Sequence, residues 1–331
     1  MPKYSIIKLK EMSPLHIGTG KENYDFSAST LHSDTLSAAL ASIRVKVGGK
    51  TDIEKFLNSF TISSAFPYSR EHYFLPRPQK KVNVTISDIE EYTSRKKLKN
   101  IRYIDSKLWY ELLKGNNVIV NSNQIQGNFL LDAVDKDFRH PYKSVVNQRV
   151  SVPRDENKDA EPFFFDWTFF NEDSGLYCIT DATGDLLNEI VNLFEILGEI
   201  GIGTDKNVGG GKFSVDTELI EFPDITEQNS VVLLSLYIPH EEDMPIIDLD
   251  QSHFELVLRS GYISGSSENK LMHLRKKSIY TFGVGSILRI TGKIKGKVVD
   301  LQPTDYNDER MHPVYRSGKP FVLPINIAKN E

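Results

Sequence analysis

The chain has 331 residues, 39% of them hydrophobic and 26% charged, with a formal net charge of −5. That length suffices for two domains with sizeable cores, and the acidic balance argues against a free-standing, generally basic nucleic-acid binder. A single cysteine, Cys178, excludes an intramolecular disulfide, and no Cys/His spacing resembles a zinc site. With no signal peptide and no apolar run of transmembrane length, the expectation is a soluble, cytoplasmic protein without membrane contact.

In chain order, residues 4–10 alternate apolar and polar types as a half-buried strand does. Pro14, Gly18 and Gly20 break the pattern. Ser33 and Asp34 then suit the cap of a helix whose Leu36, Ala39, Leu40 and Ile43 share one face. A shorter helix carries Ile53, Phe56, Leu57 and Phe60, capped by Thr51 or Asp52, and a short strand is expected at 62–66. Pro76-Arg77-Pro78-Gln79-Lys80-Lys81 reads as a basic loop, because proline continues neither a helix nor a central strand. Ser87 and Asp88 open a segment that leads to Arg95-Lys96-Lys97-Leu98-Lys99, and residues 118–120 read as a strand.

From 132 to 161 the periodicity fades while Arg139, Lys143, Arg149, Arg154 and Lys158 recur. Irregular chain of that length is more often functional or mobile than filler. Phe163, Phe164, Phe165, Trp167, Phe169 and Phe170 suit a buried strand or a protein interface, with base stacking as the alternative. Residues 176–180 are strand-like and carry Cys178 as a buried, inert thiol. Leu186, Leu187, Ile190, Leu193, Phe194 and Leu197 define an amphipathic helix over 185–200, followed by a strand over 213–222. Strand, helix, strands, helix, strand is the ferredoxin-like βαββαβ plan, here with a long insertion around 70–170. Beyond Pro223, segments 231–237, 254–258, 278–282, 286–291 and 297–301 read as strands with no strong helix among them. The expected architecture is α+β, with an N-terminal domain over 1–222 and a β-rich domain over 223–331.

Between the amphipathic helix and the strand that follows it lie Gly201, Gly203, Gly209, Gly210 and Gly211, with Lys206 and Lys212. Glycine allows close backbone approach and positive φ, and clustered amides in such loops bind phosphate oxygens. Phosphate loops of nucleotide enzymes run strand, glycines, helix, whereas this one runs helix, glycines, strand. Phe213 after Lys212 breaks the Walker pattern, and no Gly-x-Gly-x-x-Gly occurs. The chemistry points to a polyphosphate backbone rather than ATP or NAD; a glycine-rich turn with no ligand fits the same residues.

Charge is unevenly spread. Residues 270–297 carry Lys270, Arg275, Lys276, Lys277, Arg289, Lys293, Lys295 and Lys297 with no Asp or Glu, whereas 216–250 are acidic with no Lys or Arg. This suits a subunit with a basic face for nucleic acid and an acidic face elsewhere, although a solvated surface gives the same pattern.

Four landmarks combine into a resemblance: Ser13-Pro14-Leu15-His16-Ile17-Gly18, His32-Ser33-Asp34-Thr35-Leu36, the glycine loop, and the run from Leu274 through Gly283-Val284-Gly285 to Ser286. Together they resemble the repeat-associated mysterious proteins (RAMPs) of CRISPR systems, and within them the group of fourth Csm subunits of type III-A effector complexes. The resemblance spans both ends and the middle and is weakest in 70–160. It implies tandem ferredoxin-like, RRM-like domains and no catalysis, metal or cofactor. It implies a subunit that grips the 5′ handle of CRISPR RNA and joins the large polymerase-like subunit to the backbone RAMP filament. A β-hairpin thumb in the insertion would separate handle from guide.

Single-stranded RNA is held by phosphate contacts and by bases splayed onto aromatic or planar groups. On that basis Lys206, Gly209, Gly210, Gly211 and Lys212 form the candidate phosphate cradle. His16 and Ser33 flank the same end of the first domain, and Asp34 is assigned to capping. Arg149 lies on the candidate thumb strand, with Arg154 just after it, and Arg275, Lys276 and Lys277 extend the basic surface into the second domain. Each has a plainer alternative: His16 as a hydrogen-bonded structural histidine, the 275–277 cations in solvent, the thumb arginines paired with Asp155, Glu156 or Asp159. The main competing function is a RAMP endoribonuclease cutting CRISPR repeats, for which His16 is the candidate and His32 is close in sequence, with no obvious second catalytic partner. Metal-dependent cutting needs a carboxylate cluster, which Asp34 alone does not supply. Another RAMP subunit of the filament, or a protein-interaction module, are the further readings.

Overall fold

The structure is a computed structural model. It describes residues 2–18, 24–49, 52–80, 83–154, 159–225, 230–264, 266, 268–304, 309 and 311–326. Gly20, Thr51, Lys81, Asp155, Glu156 and Lys158 lie outside the described residues.

Strand β1 (Lys3–Lys10) is followed by helices α1 (Ser33–Gly48) and α2 (Ile53–Asn58), then by the hairpin β2 (Phe66–Ser69) and β3 (His72–Pro76). The insertion contributes β4 (Val84–Ile86), α3 (Glu91–Asn100), β5 (Tyr103–Asp105), α4 (Ser106–Leu113), β6 (Val118–Val120), β7 (Ile125–Gln126) and β8 (Phe129–Leu130). A long hairpin of β9 (Tyr142–Ser151) and β10 (Glu161–Phe170) precedes β11 (Ser174–Thr180), α5 (Gly184–Ile200) and β12 (Ser214–Glu221). An eight-stranded sheet has the order β12-β1-β11-β2-β3-β5-β8-β7, so β1 lies between β11 and β12, antiparallel to both.

Alternation along β1 sends its residues into two cores. Ile7 and Leu9, fully buried, join Leu36, Leu40, Ile190, Phe194 and Cys178 under α1 and α5. Ile6 joins Phe66, Phe74, Tyr177 and Ile179 on the opposite face. That second core is completed by Val232, Leu234, Phe321 and Leu323 from the far end of the chain. Cys178 is buried, and burial pushes its thiol well above the ordinary cysteine range.

The last third is all strand apart from short 3₁₀ turns among the described residues: β13 (Ser230–Leu233), β14 (Ile247–His253), β15 (Leu256–Arg259), β16 (Ile279–Phe282), β17 (Ile287–Ile290), β18 (Val298–Asp300), β19 (Tyr315–Ser317) and β20 (Val322–Pro324). The order β14-β17-β13-β20 forms a separate four-stranded sheet. The protein is therefore α+β, as expected.

Two local expectations change. The strand expected at 62–66 pairs only from Phe66 onward, with Ile62 making a single bridge to Thr180. Its serines are engaged elsewhere: the Ser63 hydroxyl accepts the Ile179 amide, and the Ser64 amide donates to the Leu234 carbonyl. The acidic stretch is also partly internal. Asp216 and Glu218 on β12 pair with Lys10 and Lys8 of β1, and the Asp243 carboxylate is buried under Tyr237 and the Lys295 and Gly296 amides.

Candidate nucleic-acid interface

The glycine loop folds back on the segment after β1. Gly201, Gly203 and Gly211 have φ of +90°, +91° and +67°. A Cβ on Gly203 would stand 2.4 Å from the His16 carbonyl oxygen, and one on Gly211 would stand 1.9 Å from that of Ile202. This contact consumes amides. Gly211 donates to Pro14, Thr204 to His16, Ile202 to Gly211, Gly209 to Lys206, Gly210 to Asp205, and the Lys212 amide to the Ser13 hydroxyl. The amides expected to cradle phosphate thus already have partners within the protein, and Gly203 and Gly211 serve close packing.

The groove beside this loop has a volume of about 430 Å³ and is walled by α1, the loop, and the Arg259, Lys276 and Arg316 side chains. Lys46 and Lys206 complete its cations, and Asp34 is the one carboxylate lining it among the described residues. Asp34 does not cap α1; His32 holds that position without a side-chain capping bond. Instead the Asp34 carboxylate, 1% exposed, accepts from Arg259 Nε at 2.9 Å and Nη2 at 3.1 Å, and from Arg316. Burial opposes its charge, but Arg316 and Arg259 hold the carboxyl down at about 2. Burial, and then Arg316, push the Lys276 ammonium down to about 8. The groove therefore carries more positive charge than its one carboxylate offsets, a setting that favours an anion. The Thr204 hydroxyl, also in the groove wall, is buried without a partner among the described residues.

The sequence candidates divide. His16, Lys206 and Lys276 meet in the groove wall. His16 is 1% exposed; its Nδ1 donates to the Asp166 carbonyl at 2.7 Å, and its ring packs on Phe165 at 4.5 Å. Arg275 lies at the rim, its guanidinium 4.9 Å from the Tyr262 ring centre, while Tyr262 itself lines the groove. Lys277 is exposed and outside the lining. Ser33 is buried, its hydroxyl accepting the Leu236 amide at 2.9 Å, so its role is to join α1 to the C-terminal strands. Gly209 is exposed with open space at its Cβ position, Gly210 packs under Trp167, and Lys212 is exposed beside the loop. Arg149 on β9 pairs with Asp205 of the loop at 2.5 Å and covers Phe165 and Trp167 at 4.4 and 5.2 Å. It thereby ties the hairpin to the glycine loop. Arg154 is exposed just beyond the end of β9.

Sequence reasoning missed Arg259 and Arg316. Arg259 closes an otherwise apolar strand, Leu-Val-Leu-Arg, which is a faint signal; Arg316 in Tyr-Arg-Ser gives none. A separate compact cluster joins His72, Asp105 and Asp132, whose ligand-type atoms lie within 4.8 Å of one another. Lys107 already pairs with Asp132 there at 2.7 Å, which marks an ion-pair network.

Residues 226–325 match the family described as the CRISPR Csm4 C-terminal domain. A Thermococcus onnurineus protein named CRISPR system Cms protein Csm4 is 24% identical over 99% of both chains. Its namesake from Methanocaldococcus jannaschii is 20% identical over 99% of both. The fold resembles a chain of a Csm1-Csm4 cassette crystallised with cA4 (TM-score 0.62, 20% identity, 99% and 100% of the two chains covered). It also resembles a chain of a Csm3-Csm4 subcomplex from a type III-A interference complex (TM-score 0.60, 19% identity, 98% and 100% covered). No described helix is long and apolar enough to cross a membrane. In sequence and in fold alike, the chain is similar to Csm4 proteins, and its residues 226–325 match the Csm4 C-terminal family.

Proposed function

We propose that the chain is a non-catalytic RNA-binding subunit of a type III-A CRISPR effector complex, gripping the 5′ handle of CRISPR RNA and bridging the large polymerase-like subunit to the backbone RAMP subunit. The observation that carries this reading is the groove in which Lys46, Lys206, Arg259, Lys276 and Arg316 surround one buried carboxylate. Its shape and charge suit a sugar–phosphate strand. The bridging role draws on similar folds found in a Csm1-Csm4 cassette and a Csm3-Csm4 subcomplex. The β9–β10 hairpin, tied by Arg149 to the loop, suits the thumb.

A tandem ferredoxin-like reading, 1–222 and 223–331, is supported in the first unit by the interleaved order β12-β1-β11-β2 with α1 and α5 on one face, and in the second by its own four-stranded sheet. The non-catalytic reading draws on the histidines. His16 is anchored to a carbonyl, and His32, the partner a base–acid pair would need, lines a different cleft.

The test is the salt dependence of binding to handle RNA. Each neutralised phosphate contributes about −0.7 to the slope of log affinity against log salt for a single strand. Lys206→Ala combined with Lys276→Ala should flatten the slope by about 1.4. An unchanged slope would remove the groove from the RNA path, and cleavage of repeat RNA that is lost in His16→Ala would replace this reading with the endoribonuclease.

A further inference from the structure

A second cleft, of about 470 Å³, lies where the 76–79 turn and the Arg102–Tyr103 edge of the insertion meet the Gly283–Gly285 turn. That volume lies within the range of sites that enclose a small ligand. The walls are held firmly. The Gln79 amide donates to the Gly285 carbonyl at 2.8 Å, and Gly285, at φ +84°, leaves room for the Arg77 carbonyl that a Cβ would meet at 2.7 Å. The basic Pro76–Lys81 turn and the Gly283–Gly285 motif thus meet each other here.

The fold leaves two polar atoms of this cleft unpaired, although the Arg77 Nη1 donates to the Leu98 carbonyl at 3.0 Å. His32 Nδ1 and Arg77 Nε are both buried without a hydrogen-bond partner among the described residues, and both residues line the cleft. A buried polar atom without a partner carries a desolvation cost, so one at a cleft wall is a reason to look for a ligand. Burial and then Arg259 hold the His32 imidazole down at about 4, so it is neutral in ordinary buffers and its Nδ1 can donate or accept. Arg77 Nε can only donate. Arg102 and Gln79 are exposed at the mouth, and Glu255 is the one carboxylate in the lining. A fixed donor, a donor-or-acceptor nitrogen and an amide match the mixed edge of a nucleobase, and an exposed guanidinium beside them matches a phosphate or a base face.

The cleft also adjoins the main groove. His32 lines the cleft, while Asp34 and Thr35, on the first turn of the same helix, line the groove. We infer that this cleft takes one unstacked nucleotide of the RNA strand whose backbone lies in the groove, reading its base edge with His32, Arg77 and Gln79 and holding its phosphate with Arg102. The inference rests on the RNA-binding reading above and adds to it a single base-reading subsite.

The experiment uses the full chain and synthetic single-stranded RNAs carrying the repeat-derived 5′ handle, each with an abasic ribose at one position. One position should stand out, weakening binding on the order of tenfold with the salt slope unchanged, as loss of base hydrogen bonds rather than of phosphate contacts requires. Gln79→Ala with Arg102→Ala, both at exposed positions and checked for folding by circular dichroism, should shrink that position's effect at least about threefold, leaving what His32 and Arg77 contribute. A profile in which no abasic site matters by more than twofold, or a dependence undiminished in the double variant, overturns the subsite while RNA binding by the groove stands. Failure of the unsubstituted chain to bind any handle RNA overturns both.

Discussion

Two arginine–carboxylate junctions frame the groove, and they differ chiefly in how much water reaches them. At Asp34, with 1% of its side chain exposed, Arg259 and Arg316 arrive from the C-terminal strands onto the first turn of α1. At Asp205, 30% exposed, Arg149 arrives from the hairpin onto the glycine loop, itself 33% exposed. The chemistry is the same and the energetics are not. A buried carboxylate flanked by two guanidiniums cannot lose a partner without stranding charge, whereas a half-exposed pair is shielded by solvent and readily exchanges its carboxylate for another anion. The first junction fixes the relative placement of the groove walls, and the second ties the hairpin to the glycine loop through a contact that solvent reaches.

The largest effect should come from breaking the buried junction. Asp34→Ala would leave Arg259 and Arg316 facing each other, and a loss of about 3–5 kcal/mol is expected in chemical denaturation. A loss under about 1 kcal/mol would show that the two junctions are equivalent after all. The pH dependence has a definite sign. The folded carboxyl is depressed to about 2 from the ordinary 3.8, so its contribution is complete above 3.8 and disappears as pH falls through about 2.

A smaller effect belongs to Lys276, whose ammonium sits at about 8 beside Arg316. In the free protein the neutral form gains as pH rises past 8, while a bound phosphate favours the charged form. RNA affinity should therefore hold steady below pH 8 and fall above it, by at most about tenfold per pH unit for this one proton. Lys276→Arg should make the profile flat; a profile that stays steep in that variant would assign the proton to another group. The smallest effect is Arg149→Ala, expected to cost about 0–1 kcal/mol of stability because its pair is partly solvated. Weaker handle binding in the same variant, measured by fluorescence anisotropy, would sharpen the contrast, and unchanged binding would reduce Arg149 to a hairpin tie.

Much of the fold was legible because it is written in local periodicity: β1, α1, α5 and β12 carry their patterns in neighbouring residues. The insertion was harder to read. β9 exposes most of its residues on both faces, so no alternation marks it, and its ten-residue ladder with β10 is a non-local fact. For the site, the glycine loop, His16 and Lys276 were visible as composition. Arg259 and Arg316 were not, because each is held in the groove wall by Asp34, more than 200 positions away. The assignment of Asp34 to capping failed for the same reason: its short-range context suits a cap, and two distant guanidiniums outcompete it.

The path of synthesis inherits a difficulty from the core that Phe321 and Leu323 complete. Tyr4 meets the Phe321 ring at 5.1 Å, and Ile6, Phe66 and Tyr177 share that core. As the chain leaves the ribosome, the insertion can cover part of that face, but the part that Phe321 and Leu323 cover waits for the last third of the chain. Closure of this core therefore depends on contacts between the two ends of the described chain, and such non-local contacts slow folding and leave apolar surface exposed until they form.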